Sequence, residues 1–335
     1  MSEIGFHKIL LFPEKLKRVM EVSAEKVDPT YPIVVELSLT NKCNQNCMWC
    51  SDAKLRRDHP GSLDFDVVKK LFVDLKNGGV RGITIEGGGE PTVYDEFNEV
   101  VKMGHELGLK LGLITNGVKG VDKELAGMFE WIRVSLDATT REEYKTCKGL
   151  DAFDKVIENI ALMTDLADTV GVGFVVSTQN SSKPRELVKL VKEAGADYIH
   201  FRPVVDAPAV AYHGDLGGVC EMSSPGFDVM CDAMIENRVR GNGGVPCRAH
   251  SLHSVIAADG GVYICGRLNV YNWWKPIGDI NQSSFAEIWA SDMRASQNCS
   301  LMSGEFCSRY CLECRISKFN VEIDKAIGAK TKNFL

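Results

Sequence analysis

The chain has 335 residues, 44% hydrophobic and 25% charged, enough to bury one large core and a smaller appended one. Its 39 basic and 45 acidic residues give a net charge of −6, and neither sign gathers into a long block, which excludes the basic surface of a nucleic-acid binder. The stretch Met1–Met20 mixes Glu3, His7, Lys8, Glu14 and Lys15 among its apolar residues, as no secretory or membrane-spanning segment would, so a cytoplasmic protein with no membrane contact is expected.

Residues 1–32 read as an extension ahead of the first strand. From there to about residue 205, short β-branched runs alternate with amphipathic helical stretches. Ile33–Ser38, Gly82–Ile85, Leu111–Ile114, Ile132–Ser135, Val172–Val176 and Tyr198–Phe201 are the predicted strands. Between them Val67, Val68, Leu71, Phe72 and Leu75 share one helical face, as do Phe97, Val100, Val101 and Gly104, and again Phe153, Val156, Ile157 and Ile160. Gly78, Gly108 and Gly195 sit where those helices should stop. Such β-α units in series call for a parallel sheet with right-handed crossovers, either an open doubly wound sheet or a partial barrel; periodicity does not choose. In both, ligands gather at the carboxyl ends of the strands. Residues 206–246 lose the alternation and carry many glycines around one predicted helix near Phe227–Val239, which reads as a bridge.

Twelve cysteines in a chain with an ample core and no export signal point to metal ligation rather than disulfides. Cys43, Cys47 and Cys50 directly follow the first strand, and Cys247, Cys265, Cys299, Cys307, Cys311 and Cys314 crowd the last third, so two metal sites are expected. Three thiolates leave one iron of a cubane without a protein ligand. Tetrahedral zinc is the alternative, although it needs a fourth Cys or His and the nearest histidine is His59. Cys147, Cys220 and Cys231 match no ligand spacing and are expected to pack as small buried hydrophobes.

The pattern C-x3-C-x-aromatic-C, met by Cys43, Cys47, Trp49 and Cys50, resembles the signature of the radical S-adenosylmethionine (SAM) superfamily. Further matches follow in the family's order: Gly87-Gly88-Gly89-Glu90-Pro91 after the second strand, Thr115-Asn116-Gly117 after the third, and Val134-Ser135-Leu136-Asp137 on the fourth. The resemblance implies an α/β fold, a partial (β/α)6 TIM-like barrel, with SAM chelating the open iron of a [4Fe-4S] cluster held by Cys43, Cys47 and Cys50. It assigns Trp49, Gly88, Gly89, Glu90, Pro91, Asn116 and Ser135 to the cofactor. The glycines would let backbone approach the methionine moiety, and Glu90 would accept from polar groups near its ammonium. Turn and cap roles are the alternatives for these residues. Related maturases carry an Arg about a dozen residues beyond the fourth-strand Ser, where this chain has Lys145, Cys147 and Lys148; a lysine replaces the charge but not the bidentate fork. Arg202, ending the sixth strand, is the candidate for contact with SAM or substrate, a surface ion pair being its alternative.

In residues 247–320 the Asp259-Gly260-Gly261 turn reads as a β-hairpin that returns Cys265 near Cys247. Gly278-Asp279-Ile280 and Phe285–Trp289 resemble the linker of SPASM and twitch domains, which hold auxiliary clusters. The resemblance implies one auxiliary [4Fe-4S] cluster on Cys247, Cys265, Cys311 and Cys314, with Cys307 as substitute; a treble-clef-like zinc site is the alternative. Trp273 and Trp274 are candidates to wall a substrate cavity, and residues 321–335 read as a tail. The implied activity is reductive cleavage of SAM to a 5′-deoxyadenosyl radical that takes hydrogen from a small polar, sugar- or cyclitol-like molecule, giving oxidation or epimerisation. A peptide or protein side chain is the second substrate class, although only about thirty residues precede the first strand, fewer than a small leader-binding fold of ~80 residues needs. A flavodoxin or ferredoxin is the implied reducing partner.

Overall fold

The computed structural model describes residues 6–204, 207–231, 244–266, 268–270, 274–304, 307, 314 and 316–328. All the predicted strands form: β1 (Val34–Leu37), β2 (Gly82–Ile85), β3 (Lys110–Thr115), β4 (Phe129–Ser135), β5 (Val170–Val176) and β6 (Tyr198–Pro203). After them come β7 (Asp228–Cys231), β8 (His253–Ile256), β9 (Gly261–Tyr263) and β10 (Gly278–Asp279). The helices are α1 (Pro13–Met20), α2 (Ala53–Asp58), α3 (Phe65–Asn77), α4 (Phe97–Glu106), α5 (Lys123–Ala126), α6 (Arg141–Lys148), α7 (Phe153–Thr164), α8 (Pro184–Glu193), α9 (Phe285–Trp289), α10 (Asp292–Met302) and α11 (Ser317–Gly328). Local chemistry starts several of them. Asp64 caps α3 by accepting from the Asp66 and Val67 amides, Thr140 caps α6, and Ser284 with Glu287 makes a capping box on α9. No helix among the described residues is long and apolar enough to cross a membrane.

The strands make one ten-stranded sheet in the order β10-β9-β8-β1-β2-β3-β4-β5-β6-β7. All pairs from β8 to β7 are parallel, and β9 and β10 add on antiparallel. From β1 to β7 each strand lies beside its predecessor with no reversal of direction. That is the order of barrel staves, whereas a doubly wound sheet reverses at a switch point; the alternative left open by periodicity is thus decided for the partial barrel.

Alternation along the strands separates two faces. Val35, Leu37, Ile83, Ile85, Leu111, Leu113, Ile132, Val134, Ile199 and Phe201 are buried, in one core with Val68, Phe72, Val100, Val156 and Ile160 of the surrounding helices. Their neighbours Glu36, Thr84, Arg133, Ser135, His200 and Arg202 stand on the opposite, partly exposed face, the lumen of the barrel.

Three expectations are corrected. The predicted helix near Phe227–Val239 starts instead as β7, whose Tyr198↔Asp228 register extends the barrel wall; residues 232–243 lie outside the described part. Cys220 and Cys231 are not free but joined by a disulfide, because β7 returns to the short 3₁₀ turn Val219–Glu221; Cys147 alone of the three is a buried free thiol. The tail boundary at residue 320 falls inside α11, where Ile323 packs with Ile9, Val19, Ala249 and Leu252. The N-terminal extension is equally fastened: Lys15 pairs with Asp28 at 2.6 Å, Arg294 donates to the Asp28 carbonyl at 2.8 Å, and Trp289 Nε1 donates to the Thr30 carbonyl at 2.8 Å.

His250 lies beneath this clasp, fully buried, with Nε2 donating to Asn298 Oδ1 at 2.9 Å. Burial, then the Arg294 charge, lowers its pKa from 6.5 to about 3. Between those two values the unfolded chain binds a proton that the folded chain does not, so stability falls as pH drops through that window. Denaturant titrations at several pH values should show a loss of up to about 1.4 kcal/mol per pH unit from this residue, and His250→Gln should flatten that slope. Equal slopes for the two proteins would refute the assignment.

Candidate active site around the cysteine loop

Cys43, Cys47 and Cys50 stand on the irregular segment between β1 and α2, at the carboxyl edge of the sheet, and all three are partly exposed. Two walls hold this segment. One is the turn after β2: the Gly89 amide donates to the Thr40 carbonyl at 2.8 Å, and the Glu90 amide donates to the Lys42 carbonyl at 2.9 Å. A Cβ on Gly88 would stand 2.3 Å from Asn41 Oδ1, and one on Gly89 would stand 1.8 Å from the Lys42 carbonyl oxygen. Gly87 and Gly88 also hold left-handed backbone, at φ 69° and 56°. The room left by the missing side chains at Gly88 and Gly89 is therefore filled by the cysteine loop, which packs directly on their backbone.

Glu90 is buried, and its carboxylate accepts from the Thr92 amide and hydroxyl, the Thr115 hydroxyl at 2.6 Å and the Asn116 amide at 2.7 Å. Burial pushes its pKa up, and these hydrogen bonds pull it back. With these donors Glu90 ties the turn after β2 to the turn after β3. Pro91 opens the short 3₁₀ turn that Glu90 caps. Asn116 carries the tie onward, its Nδ2 donating to Asn44 Oδ1 at 2.6 Å between Cys43 and Cys47.

The second wall is the end of α6. The Cys147 carbonyl accepts from the Met48 amide at 3.0 Å, and the Lys148 carbonyl accepts from the Asn46 amide at 3.1 Å. Gln45 Nε2 donates to the Tyr144 hydroxyl at 2.6 Å, and the Cys47 thiol lies 3.6 Å from Gln45 Oε1. Lys148 is buried and bound to Asp137, so it is not the replacement for the family's Arg at an open carboxylate site; Lys145 is exposed. Arg56 of α2 stitches the loop from outside. Its Nε donates to the Asn41 carbonyl at 3.2 Å, and Nη1 lies 3.7 Å from Cys50 Sγ. No spacing rule would have found it, because its partners are two backbone carbonyls and a sulfur on an irregular loop.

Trp49 is buried with Cys147, Val204 and Ala211, which anchors the loop between its second and third cysteines. Ser135 and Arg202 both stand on the lumen face, at the carboxyl ends of β4 and β6. Cys47 is so enclosed that burial pushes its thiol up to about 11, with the Lys148 ammonium pulling down against it. A donor set of three thiolates suits a cubane that leaves one iron open, whereas a structural zinc site takes four protein ligands.

In the last third, Cys247 and Cys307 are buried while Cys265 and Cys314 are partly exposed; Cys311 lies outside the described residues. Asn320 of α11 donates from Nδ2 to Cys247 Sγ at 3.3 Å while its Oδ1 accepts from the Arg248 and Ala249 amides. Cys299 is exposed on α10. Trp274 bonds Gln297 at 2.9 Å within this module, and Trp273 lies outside the described residues.

The glycine packing generates a direct test. Gly89→Ala should strip most of the iron from the triad, whereas Gly61→Ala, with nothing within 4 Å of the added carbon, should leave it. Iron and sulfide per chain after anaerobic reconstitution measure this; equal loading of both variants would show that the two loops need not pack so closely.

Comparison with known proteins agrees with this geometry. Residues 37–191 match the radical SAM superfamily and residues 247–315 the SPASM iron-sulfur cluster-binding domain. A probable GTP 3′,8-cyclase of Saccharolobus islandicus is 32% identical over 172 residues, 50% of this chain and 55% of that protein. An AdoMet-dependent heme synthase of Methanosarcina barkeri is 28% identical over 174 residues, 50% of each chain. The chain thus spans about half the length of the curated relatives it matches. Among solved structures, Streptococcus suis SuiB bound to its precursor peptide SuiA superposes with a TM-score of 0.67 at 14% identity, covering 95% of this chain and 79% of that one. Native anSMEcpe with bound AdoMet gives 0.60 at 18%, covering 88% and 95%. These likenesses show the fold. A radical SAM domain implies SAM and a SAM-binding [4Fe-4S] cluster and a SPASM domain implies auxiliary iron–sulfur clusters, and this chain carries a radical SAM superfamily domain followed by a SPASM domain.

Proposed function

We propose that Cys43, Cys47 and Cys50 hold the SAM-binding cluster and that the chain oxidises or epimerises a small polar molecule, with one auxiliary cluster on Cys247, Cys265, Cys311 and Cys314 taking up the electron of the substrate radical. A flavodoxin or ferredoxin in the cytoplasm is the proposed electron donor. A [4Fe-4S] cluster held by these three cysteines would supply the electron for reductive cleavage of SAM, and with it the radical chemistry that removes hydrogen from the substrate.

The chain's own residues set what can be reached. The observation that carries the polar-substrate reading is the lumen wall made by β4, β5 and β6. A Cβ on Gly173 would lie 3.5 Å from both Arg133 Cδ and Arg202 Nη2, so the two side chains converge over a glycine floor. Gly171 likewise makes room for the Tyr198 ring, and Gly112 for Trp131. Arg202 Nε is buried with no hydrogen-bond partner among the described residues. A donor left open in a lumen beside Ser135 and His200 suits a substrate with oxygen acceptors, since an unpaired buried donor costs roughly 1–3 kcal/mol. The enclosing wall keeps other hydrogen donors from a reactive intermediate.

A second reading is a peptide or protein substrate. Its support is the superposition of 95% of this chain on SuiB, which was solved with a precursor peptide. The substrates of the curated relatives stay with those proteins, because the match covers about half of their length.

Reduced, reconstituted protein mixed with SAM should release 5′-deoxyadenosine, and Cys47→Ala should release none. Absence of the product from fully loaded wild type would overturn the assignment. Cys265→Ala should keep SAM cleavage while losing turnover of the true substrate, by at least tenfold, which product analysis by mass spectrometry would detect.

A further inference from the structure

Cys247 carries a hydrogen bond that ligation by itself does not require. Asn320 of α11 is 0% exposed, and its Nδ2 lies 3.3 Å from the sulfur of Cys247, itself 3% exposed. The other end of the carboxamide fixes the direction of this bond. Oδ1 stands 2.8 Å from the Arg248 amide and 2.8 Å from the Ala249 amide, and two N–H donors there identify that atom as the oxygen. The group left to face the sulfur is the amide nitrogen, which can only donate. A donor-only partner in a buried place suits a thiolate, the form in which cysteine binds metal. α11 begins at Ser317, beyond Cys314, and it is docked by contacts of its own. Arg248 pairs with Asp324 at 3.2 Å, and Ile323 packs with Ile9 and Val19 of the N-terminal extension.

We propose that Asn320 raises the reduction potential of the auxiliary cluster by donating a hydrogen bond to the Cys247 sulfur. The proposal rests on the reading of Cys247 as a ligand of that cluster. Reduction adds a negative charge that the ligand sulfurs share, so a donor at one of them stabilises the reduced state more than the oxidised one. Burial of both partners strengthens the effect, because little water competes for the sulfur. A higher potential makes this cluster the better acceptor for the electron of the substrate radical. The plain structural role, pinning the backbone after Cys247, needs only Oδ1 and its two amides, and the two roles separate when the donor alone is removed.

The test is a redox titration followed by electron paramagnetic resonance on the reconstituted full chain with Cys43, Cys47 and Cys50 replaced by Ala, so that the signal comes from the auxiliary cluster. Asn320→Asp keeps an oxygen for the two amides and removes the donor. It should disfavour reduction at least tenfold, a fall of about 59 mV for one electron. Asp324→Asn, which loosens the same helix without touching the sulfur, should leave the potential where it was. An unchanged potential in Asn320→Asp, or an equal fall in Asp324→Asn, overturns the proposal. Should Asn320→Asp fail to load iron, Asn320→Ala, which removes the donor without adding a charge, should still disfavour reduction at least threefold. If neither loads iron while Asp324→Asn does, Asn320 is a structural support and the proposal fails. A parent chain with no iron–sulfur signal, or a signal unaltered by Cys247→Ala, would instead refute the cluster reading, which keeps the two failures apart.

Discussion

The cysteine loop is held by backbone hydrogen bonds on both sides, and the rest of the site depends on that confinement. Thr40 and Lys42 accept from the turn after β2, while the amides of Asn46 and Met48 donate to the end of α6. Each such bond contributes only about 1 kcal/mol. Their worth lies in geometry, since a loop with no regular structure has to present three thiolates in one arrangement. The glycines at 88 and 89 make the first contact close, and the left-handed Gly149 lets the chain turn away from the second beside Asn46.

That confinement is transmitted through buried polar groups rather than through apolar packing alone. Glu90 joins two strand-end turns, Asn116 joins the second of them to Asn44, and Asp137 joins β5 to α6. A buried carboxylate with several donors is costly to form but fixes its neighbours tightly once satisfied. Glu90 and Asn116 are thus struts between strand ends, and Ser135 and Arg202 face the lumen. The second module is built into the same sheet. Because β8 pairs with β1 in register Val35↔Ser254, the hairpin that carries Cys265 continues the barrel wall, and α11 with the N-terminal extension closes over it.

Corrections to the sequence reading share a physical origin. Phe227–Cys231 has apolar residues at a spacing that suits a helix as well as a strand, and the free edge of β6 decided for the strand. The Cys220–Cys231 bridge follows from that pairing and has no spacing signature of its own. Arg56, Gln45 and Asn320 act through a backbone carbonyl, a tyrosine hydroxyl and a cysteine sulfur of residues distant in the chain, which no local pattern reveals.

The sequence by itself determined the strands of the barrel, the stops of its helices and the cysteine triad at the end of β1, because periodicity and motif spacing are local properties, and the class of chemistry followed from the family that those motifs resemble. Only the tertiary structure decided that the staves run in consecutive order, that Gly89 and Glu90 serve the protein's own loops, and that Lys148 is bound to Asp137. Those outcomes depend on which surfaces meet when the sheet curls, and contacts between residues as far apart as Asn320 and Cys247 exist only once the chain has closed upon itself.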